Sequence, residues 1–252
     1  GASVVGAITD NTALEAANLV TSGTATLTAE TGIGSAGGDA DIDTTIGTLV
    51  ATNSTSGNIF VQETSGLIIG GTGVRTQAGN GNINVDVDAG DLTVNAVVTA
   101  HGAGTVTLNA DAGTVDLNAV VSSSTGLIDI TGDVVTQDAN LSTGGSATVD
   151  VTADNGSITM ADLTKTTSDT GAITYDATAG VALSLVTSTS GALNVTAGVG
   201  ASVVGAITDN TALEAANLVT SGTATLTAET GIGSAGEAAD LDSTIGTLVA
   251  TN

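Results

Sequence analysis

A seven-residue pattern constrains this chain more than any other feature. The segment Gly104-Thr-Val-Thr-Leu-Asn-Ala110 has the form Gly-x-aliphatic-x-aliphatic-x-small. That period of two places the aliphatic side chains on one face of a β-strand. The form recurs around Gly23, Gly57, Gly81, Gly104, Gly126, Ala147, Gly171, Gly191 and Gly222, at spacings of 34, 24, 23, 22, 21, 24, 20 and 31 residues. A second marker keeps the same rhythm, an aliphatic residue followed by Ser or Thr: Val98-Thr99, Val121-Ser122, Leu141-Ser142, Leu163-Thr164 and Val186-Thr187. Between the markers lie further alternating segments such as Gly113-Thr-Val-Asp-Leu-Asn-Ala119. Each unit therefore reads as two or three short strands separated by Gly, Asn and Asp turns. A strand-and-turn unit of this size is one coil of a β-solenoid.

A longer period lies over the short one. Residues 1–53 return as residues 200–252, with 49 of 53 positions identical; only Gly38/Glu237, Asp39/Ala238, Ile42/Leu241 and Thr44/Ser243 differ. The expected organisation is one continuous solenoid over residues 1–252. Residues 1–199 form one long repeat of about eight coils, and residues 200–252 begin the next. A chain that starts and stops within this pattern is expected to be a slice of a longer array. Strands about 4.8 Å apart give the slice a length of roughly 48 Å.

Composition agrees with a slim core. The chain has 35 Gly and no Pro, Cys or Trp, and Phe60 and Tyr175 are its only aromatics. Pro would remove a donor from strands that are bonded on both sides. The alternative, a string of immunoglobulin-like sandwiches, normally uses a buried aromatic core and more varied strand spacing. The fold class expected is thus all-β, a parallel β-helix (β-solenoid) with about 20–34 residues per coil. Two coils are long. In the 31-residue unit, Thr12 and Glu15 match a capping box, but the resemblance of residues 14–21 to residues 117–122 favours a strand and corner over a short helix. In the 34-residue unit, residues 34–43 are the segment expected to protrude, and three of the four differences between copies fall in residues 38–42.

The Gly-x-Ile-x-Val-x-Ala type of unit with Gly/Asn/Asp turns resembles the repeats of filamentous-haemagglutinin-type and other giant bacterial surface adhesins. The resemblance covers essentially the whole chain and is compositional and periodic. It implies a right-handed winding, secretion, an extracellular or cell-surface location, and a role in attachment or in a surface fibre.

Charge excludes several functions. The chain carries 26 acidic residues against Arg75 and Lys165, a net charge of −24. Nucleic acid needs Lys/Arg neutralisation of its phosphates, and anionic membrane surfaces are disfavoured for the same reason. Residues 177–208 are uncharged, yet Ser, Thr, Asn and Gly interrupt them and no run of 18 apolar residues occurs, so no membrane insertion is expected. Absence of Cys removes disulfides and thiolate metal sites.

Candidate chemistry is sparse. His101 is the only His and reads as a solvated turn residue. Arg75 and Lys165 stand about four coils apart, and two lone cations cannot supply the basic groups that a lyase-like site clusters with carboxylates, so no enzyme activity and no catalytic residue is expected. Asp39, Asp41 and Asp43 alternate, so their carboxylates point the same way in an extended chain, an arrangement suited to Ca²⁺. The second copy, however, has Ala238 in place of Asp39, and no calcium-roll nonapeptide recurs. Asp86, Asp88 and Asp91 are weighed in the same way. No cofactor is expected, with Ca²⁺ as the one ion considered. Thr24, Thr26 and Thr28 alternate as in an ice-binding face, but the positions matched on the next unit are Asn58, Phe60 and Gln62. Sequons such as Asn194-Val-Thr196 carry little information in a Thr-rich chain.

The functional expectation is a structural repeat of a very long extracellular surface or fibre protein, acting as a stiff stalk or filament in adhesion or matrix formation. The alternative is a ligand-binding module (glycan, Ca²⁺ or ice) on the solenoid surface. Expected partners are the chain itself, associating end to end through its open coils, and glycans or a host or neighbouring cell surface.

Overall fold

The computed structural model describes residues 6–12, 16–37, 40–198, 204–212, 215–235 and 239–252. It is an all-β solenoid of 22 parallel strands in one wound sheet, making about ten turns. No helix occurs among the described residues. The capping-box reading at residues 12–19 lies partly outside them. Where the segment is described, Thr12 N and Oγ1 bond to the Asp10 carboxylate at 2.7 and 2.9 Å, and a strand begins at Leu19. Thr12 thus closes a local Asx turn.

One coil shows the plan. Residues 106–110 form a first face, residues 114–117 a second, and Val121–Ser123 a third. Alternation sends every second side chain inward, and in-register stacking lines those side chains up from coil to coil. Ile59, Ile83, Val106, Ile128, Val149, Ile173 and Leu193 form one such inward column, each 0 % exposed. Aliphatic side chains suffice because the cross-section is only a few residues wide. Each fully buried one contributes about 1.5–3 kcal/mol over its exposed state.

The glycine marker has a steric cause. At the corner leading into the first face, a carbonyl of one coil sits where the Cβ of the next coil's residue would stand. A Cβ on Gly104 would lie 2.1 Å from Gly81 O, and one on Gly126 2.0 Å from Gly104 O. The same carbonyls need donors, and a column of buried hydroxyls two residues past the aliphatic marker supplies them. Ser123 Oγ donates to Gly104 O at 2.6 Å, Thr143 Oγ1 to Gly126 O at 2.6 Å, and Thr220 Oγ1 to Gly191 O at 2.7 Å. Burial without such partners would cost each carbonyl about 1–3 kcal/mol.

One inward column carries an aromatic side chain among aliphatics. Tyr175 stands in a column otherwise filled by Val61, Val85, Leu108, Ile130, Val151 and Val195, and is 0 % exposed. Its ring reaches across the axis to the other two faces, where Gln137 replaces an aliphatic between Leu117 and Met160, and Thr166 replaces one between Leu141 and Val186. Tyr175 Oη donates to Gln137 Oε1 at 2.7 Å and lies 2.6 Å from Thr166 Oγ1; Gln137 Nε2 donates to Thr166 Oγ1 at 3.0 Å and to Ala139 O at 3.1 Å. Three faces thus deviate together so that one phenol is satisfied. Burial pushes the Tyr175 phenol well above its ordinary pKa, against the opposing effect of the Thr166 hydrogen bond.

The Thr166 placement corrects the second marker at one coil. Leu163-Thr164 does not occupy the ladder: Leu163 is 54 % exposed with φ 63°, and Thr166-Thr167 pair with Leu141-Ser142 instead. The polar Thr takes the aliphatic slot because the Tyr175 ring fills the space in front of it.

The two copies of the long repeat are built alike but stand on different faces. Leu19 pairs with Thr44 and Ala25 with Leu49; their copies Leu218 and Ala224 pair with Ser243 and Leu248 in the same way. Yet Ala25 stands on the column of Ile69, Val94 and Leu117, whereas Ala224 stands on that of Leu193 and Ile173. Ile8 stacks on Ile33 and Ile59, while its copy Ile207 stacks on Val181 and Ile158. One period of 199 residues is therefore eight coils plus part of a turn. It follows that the 34-residue spacing from Gly23 to Gly57 is not one coil. The turn above Ile59 begins at Ile33, 26 residues earlier, and Gly23 precedes a second-face strand. Identical motifs fit different faces because all three faces require the same alternation.

Candidate functional site

Between Ile33 and Ile42 the chain leaves the first face, and residues 34–37 and 40–41 of this segment are described. Ile33 and Ile42 pair with Ile59 and Val61, two residues apart on the next coil, so the intervening residues are looped out between neighbouring ladder positions. Ser35 N closes the loop on Ala40 O at 2.7 Å, and Ala40 N on Gly37 O at 2.9 Å. Asp39 lies outside the described residues. Asp41 and Asp43 sit at the loop's return, with Asp43 only 4 % exposed and its N–H donating to Asn18 Oδ1 at 2.9 Å. Burial raises the Asp41 pKa, and the charges of Asp43, Asp86 and Asp10 raise it further. Asp10 moves the other way, lowered chiefly by the Thr12 N–H, with the Asn18 side chain helping.

The first face carries stacked carboxylates. Asp129 lies directly opposite Asp150 in the ladder, and burial raises its pKa with Asp150 adding to the shift. Asp86 is raised by burial against an opposing hydrogen bond from Asn109, with Asp111 and Asp88 adding repulsion. Asp176 is raised by burial and by Asp154. Amides interleave the column: Asn109 Nδ2 bonds Asp86 Oδ1 at 2.8 Å, and Gln62 Nε2 bonds Asp88 Oδ1 at 3.0 Å. Asp91 leaves the group, since its carboxylate accepts from Thr114 N at 2.8 Å beyond the corner. Among the described residues, no three acidic or His side chains come together as a metal-holding group.

His101 is fixed by its turn, its N–H donating to Thr76 Oγ1 at 2.9 Å and its Nδ1 lying 2.7 Å from Gly79 O. It shares a groove of about 430 Å³ with Arg75, Gln77 and Thr99. Residue spacing carries no hint of this, because Arg75 and His101 are neighbours only across coils. Lys165 stands at the start of strand Lys165–Ser168, and its N–H is held by Asn140 Oδ1 at 2.8 Å. Thr24, Thr26 and Thr28 face outward, but the coils beneath them place Thr48, Val50 and Thr52, then Ile68 and Arg75, rather than Asn58, Phe60 and Gln62. The threonine array ends after two coils because the Gly23 strand belongs to the second face.

The junction between the first copy and the coil at residues 59–76 holds a buried carboxylate that the sequence reading missed. Glu63 is 0 % exposed. Its Oε2 accepts from Thr44 Oγ1 at 2.7 Å and Ile46 N at 2.9 Å, and its Oε1 from Ser65 Oγ at 2.9 Å and Ser65 N at 3.1 Å. Two of these donors, the Thr44 hydroxyl and the Ile46 N–H, come from the neighbouring coil and tie the two coils together, while Ser65 fixes the carboxylate on its own coil.

Strand Ser243–Thr251 is the copy of residues 44–52. Leu248 is 54 % exposed where Leu49 is 0 % exposed. An apolar groove of about 470 Å³ opens there, lined by Leu218, Leu226, Ile232, Leu241, Leu248 and Ala250. Among the described residues, no helix is long and apolar enough to cross a membrane. Comparison with protein-family models, with curated proteins and with solved structures found no match.

Proposed function

We propose that the chain is a structural repeat of a very long extracellular surface or fibre protein, serving as a stiff stalk or filament in adhesion or matrix formation. One observation carries this reading: a single inward column runs from Ile8 through Ile59, Ile128 and Leu193 to Ala224 and Leu248 without a break. From Ile59 to Thr220, each coil is bonded to the one above and the one below by parallel ladders on three faces. Bending the rod stretches many backbone hydrogen bonds at once. A net charge of −24 repels neighbouring rods and keeps them dispersed.

The test is immunogold microscopy of unpermeabilised source cells with an antibody raised against residues 1–53. Label following filaments on the cell surface is expected; label that appears only after permeabilisation defeats the proposal. The excursion at residues 34–41 favours a second reading, in which the rod presents that loop to a glycan or a neighbouring cell. Under it, replacing residues 35–41 with a short turn abolishes attachment and leaves the rod intact, because Ile42 and Asp43 stay in the ladder.

A further inference from the structure

Both cations of the chain stand on the third face. Arg75 belongs to the outward ladder Thr52, Arg75, Thr99, Ser122, Ser142, Thr167, and Lys165 begins the third-face strand Lys165–Ser168. No Asp or Glu stands in that ladder, nor in residues 44–62, 64–85, 92–110 or 117–128, which include the third face around Arg75 and the corners beside it. Arg75 is thus kept apart from all 26 acidic residues of the chain. Its Nε is buried without a hydrogen-bond partner, and no described residue pairs with its guanidinium. Buried donors are nearly always satisfied, so an orphaned one calls for an acceptor. We propose that the groove around Arg75 binds an acidic sugar, the Arg75 guanidinium pairing with the sugar's carboxylate while Gln77, Thr99 and His101 hydrogen-bond its ring hydroxyls. The proposal stands independently of the rod reading.

The lining of the groove selects this class of ligand. Arg75 and Thr99 are ladder partners, and Gln77 and His101 follow each of them by two residues, so alternation turns all four to one side. They line a groove of about 430 Å³ together with Val97. The paired N–H groups of a guanidinium match the two oxygens of a carboxylate, and a single cation suits a single negative charge. No carboxylate lines the groove to receive an ammonium group, which argues against an amino acid or an amine. His101 Nδ1 lies 2.7 Å from Gly79 O, which only accepts, so Nδ1 carries the proton and Nε2 is left as an acceptor. With the Thr99 hydroxyl and the Gln77 amide, the groove thus both donates and accepts, as ring hydroxyls require, and Val97 offers an apolar contact for the C–H face of the ring. The stacked carboxylates lie on the first face, where Asp129 stands opposite Asp150, and exposed charges beyond about 8 Å are largely screened at physiological salt.

The experiment is an NMR titration of the full chain. Arg75 is the only Arg and His101 the only His, so the Arg Nε–H and the imidazole each give one signal that needs no variant to assign. Methyl β-D-glucuronide should shift both signals saturably, whereas methyl β-D-glucoside, the same ring without the carboxylate, should leave the Arg75 signal in place. Arg75→Gln removes a side chain that bonds to nothing in the fold and should weaken binding by about ten-fold or more, the loss of one charge-assisted pair. Lys165→Gln makes the same change in net charge four ladder steps away, about 19 Å, and should leave affinity within about two-fold because that distance exceeds the screening length. Free glucuronate is titrated alongside. Tighter binding of the glycoside marks a residue within a glycan as the source, tighter binding of the free acid marks a monosaccharide, and either supports the site. Absence of a saturable shift in wild type overturns the proposal, as does equal weakening by Arg75→Gln and Lys165→Gln. N-acetylglycine, a carboxylate without a sugar ring, or glucose 6-sulfate binding as tightly as the glucuronide overturns the assignment to an acidic sugar.

Discussion

Removing the phenol oxygen of Tyr175 tests how the core tolerates a buried polar cluster. Tyr175→Phe deletes two hydrogen bonds, the 2.7 Å bond to Gln137 Oε1 and the 2.6 Å contact with Thr166 Oγ1. The remaining partners are not stranded. Thr166 Oγ1 still reaches Gln137 Oε1 at 3.3 Å, and Gln137 Nε2 keeps Thr166 Oγ1 and Ala139 O. The loss should therefore be about 1.5 kcal/mol, short of the 3 kcal/mol that a fully orphaned buried group can reach. Gln137→Leu and Thr166→Val alone should each cost a similar amount, since each leaves the phenol with one partner. Making all three changes together removes every polar atom of the cluster and restores the aliphatic pattern of the neighbouring coils. That triple variant should lie within about 1 kcal/mol of wild type, far from the sum of the single losses, because replacing all partners of a buried network by apolar groups is nearly neutral. Guanidinium unfolding followed by far-ultraviolet circular dichroism measures the differences. Hydrogen exchange at strands Val149–Ala153 and Leu193–Ala197 shows whether they are local. A Tyr175→Phe variant with unchanged stability, or a triple variant as weak as the summed singles, would refute the account of coupled faces.

Gly104→Ala should lose about 3 kcal/mol of stability in the same unfolding assay, because its methyl meets Gly81 O at 2.1 Å between coils that cannot separate, whereas Gly6→Ala, with nothing within 4 Å, should be near neutral. Asp129 and Asp176 have folded-state pKa values raised above the ordinary 3.8, so the folded chain binds protons before the unfolded one does. Thermal midpoints should consequently rise as pH falls from neutral toward that ordinary value, the reverse of a chain stabilised by carboxylate ion pairs. Asp129→Asn, which removes one of two like charges directly opposite in the ladder, should gain about 0.5 kcal/mol at neutral pH and flatten part of that dependence.

The coil rhythm was legible because it is written in backbone sterics. Gly104 and Gly126 are glycines since a carbonyl occupies their Cβ positions, and this signal survives any change in side-chain chemistry. The face to which a strand belongs was not legible. Gly23 and Gly57 both open an alternating strand, yet one precedes the second face and the other the first, because alternation carries no label for the face. Thr166 was equally hidden: a polar residue in an aliphatic column looks like a loop residue until the phenol of Tyr175, nine positions on, is seen to reach it. Of the acidic candidates, Asp86 lies in strand Ile83–Val87 and Asp88 just past its end, while Asp91 turned away because the corner lay between them.

The fractional turn in the 199-residue period, seen where Ala25 and Ala224 stand on different columns, has a geometric outcome for an array. Equivalent loops do not line up along one edge. They wind about the shaft like the treads of a spiral stair, so a rod of several repeats offers the same tread to a surface whichever way it leans. Nor does such an array have a preferred side by which rods could zip laterally into sheets, since matching treads on two parallel shafts come level at only a few heights.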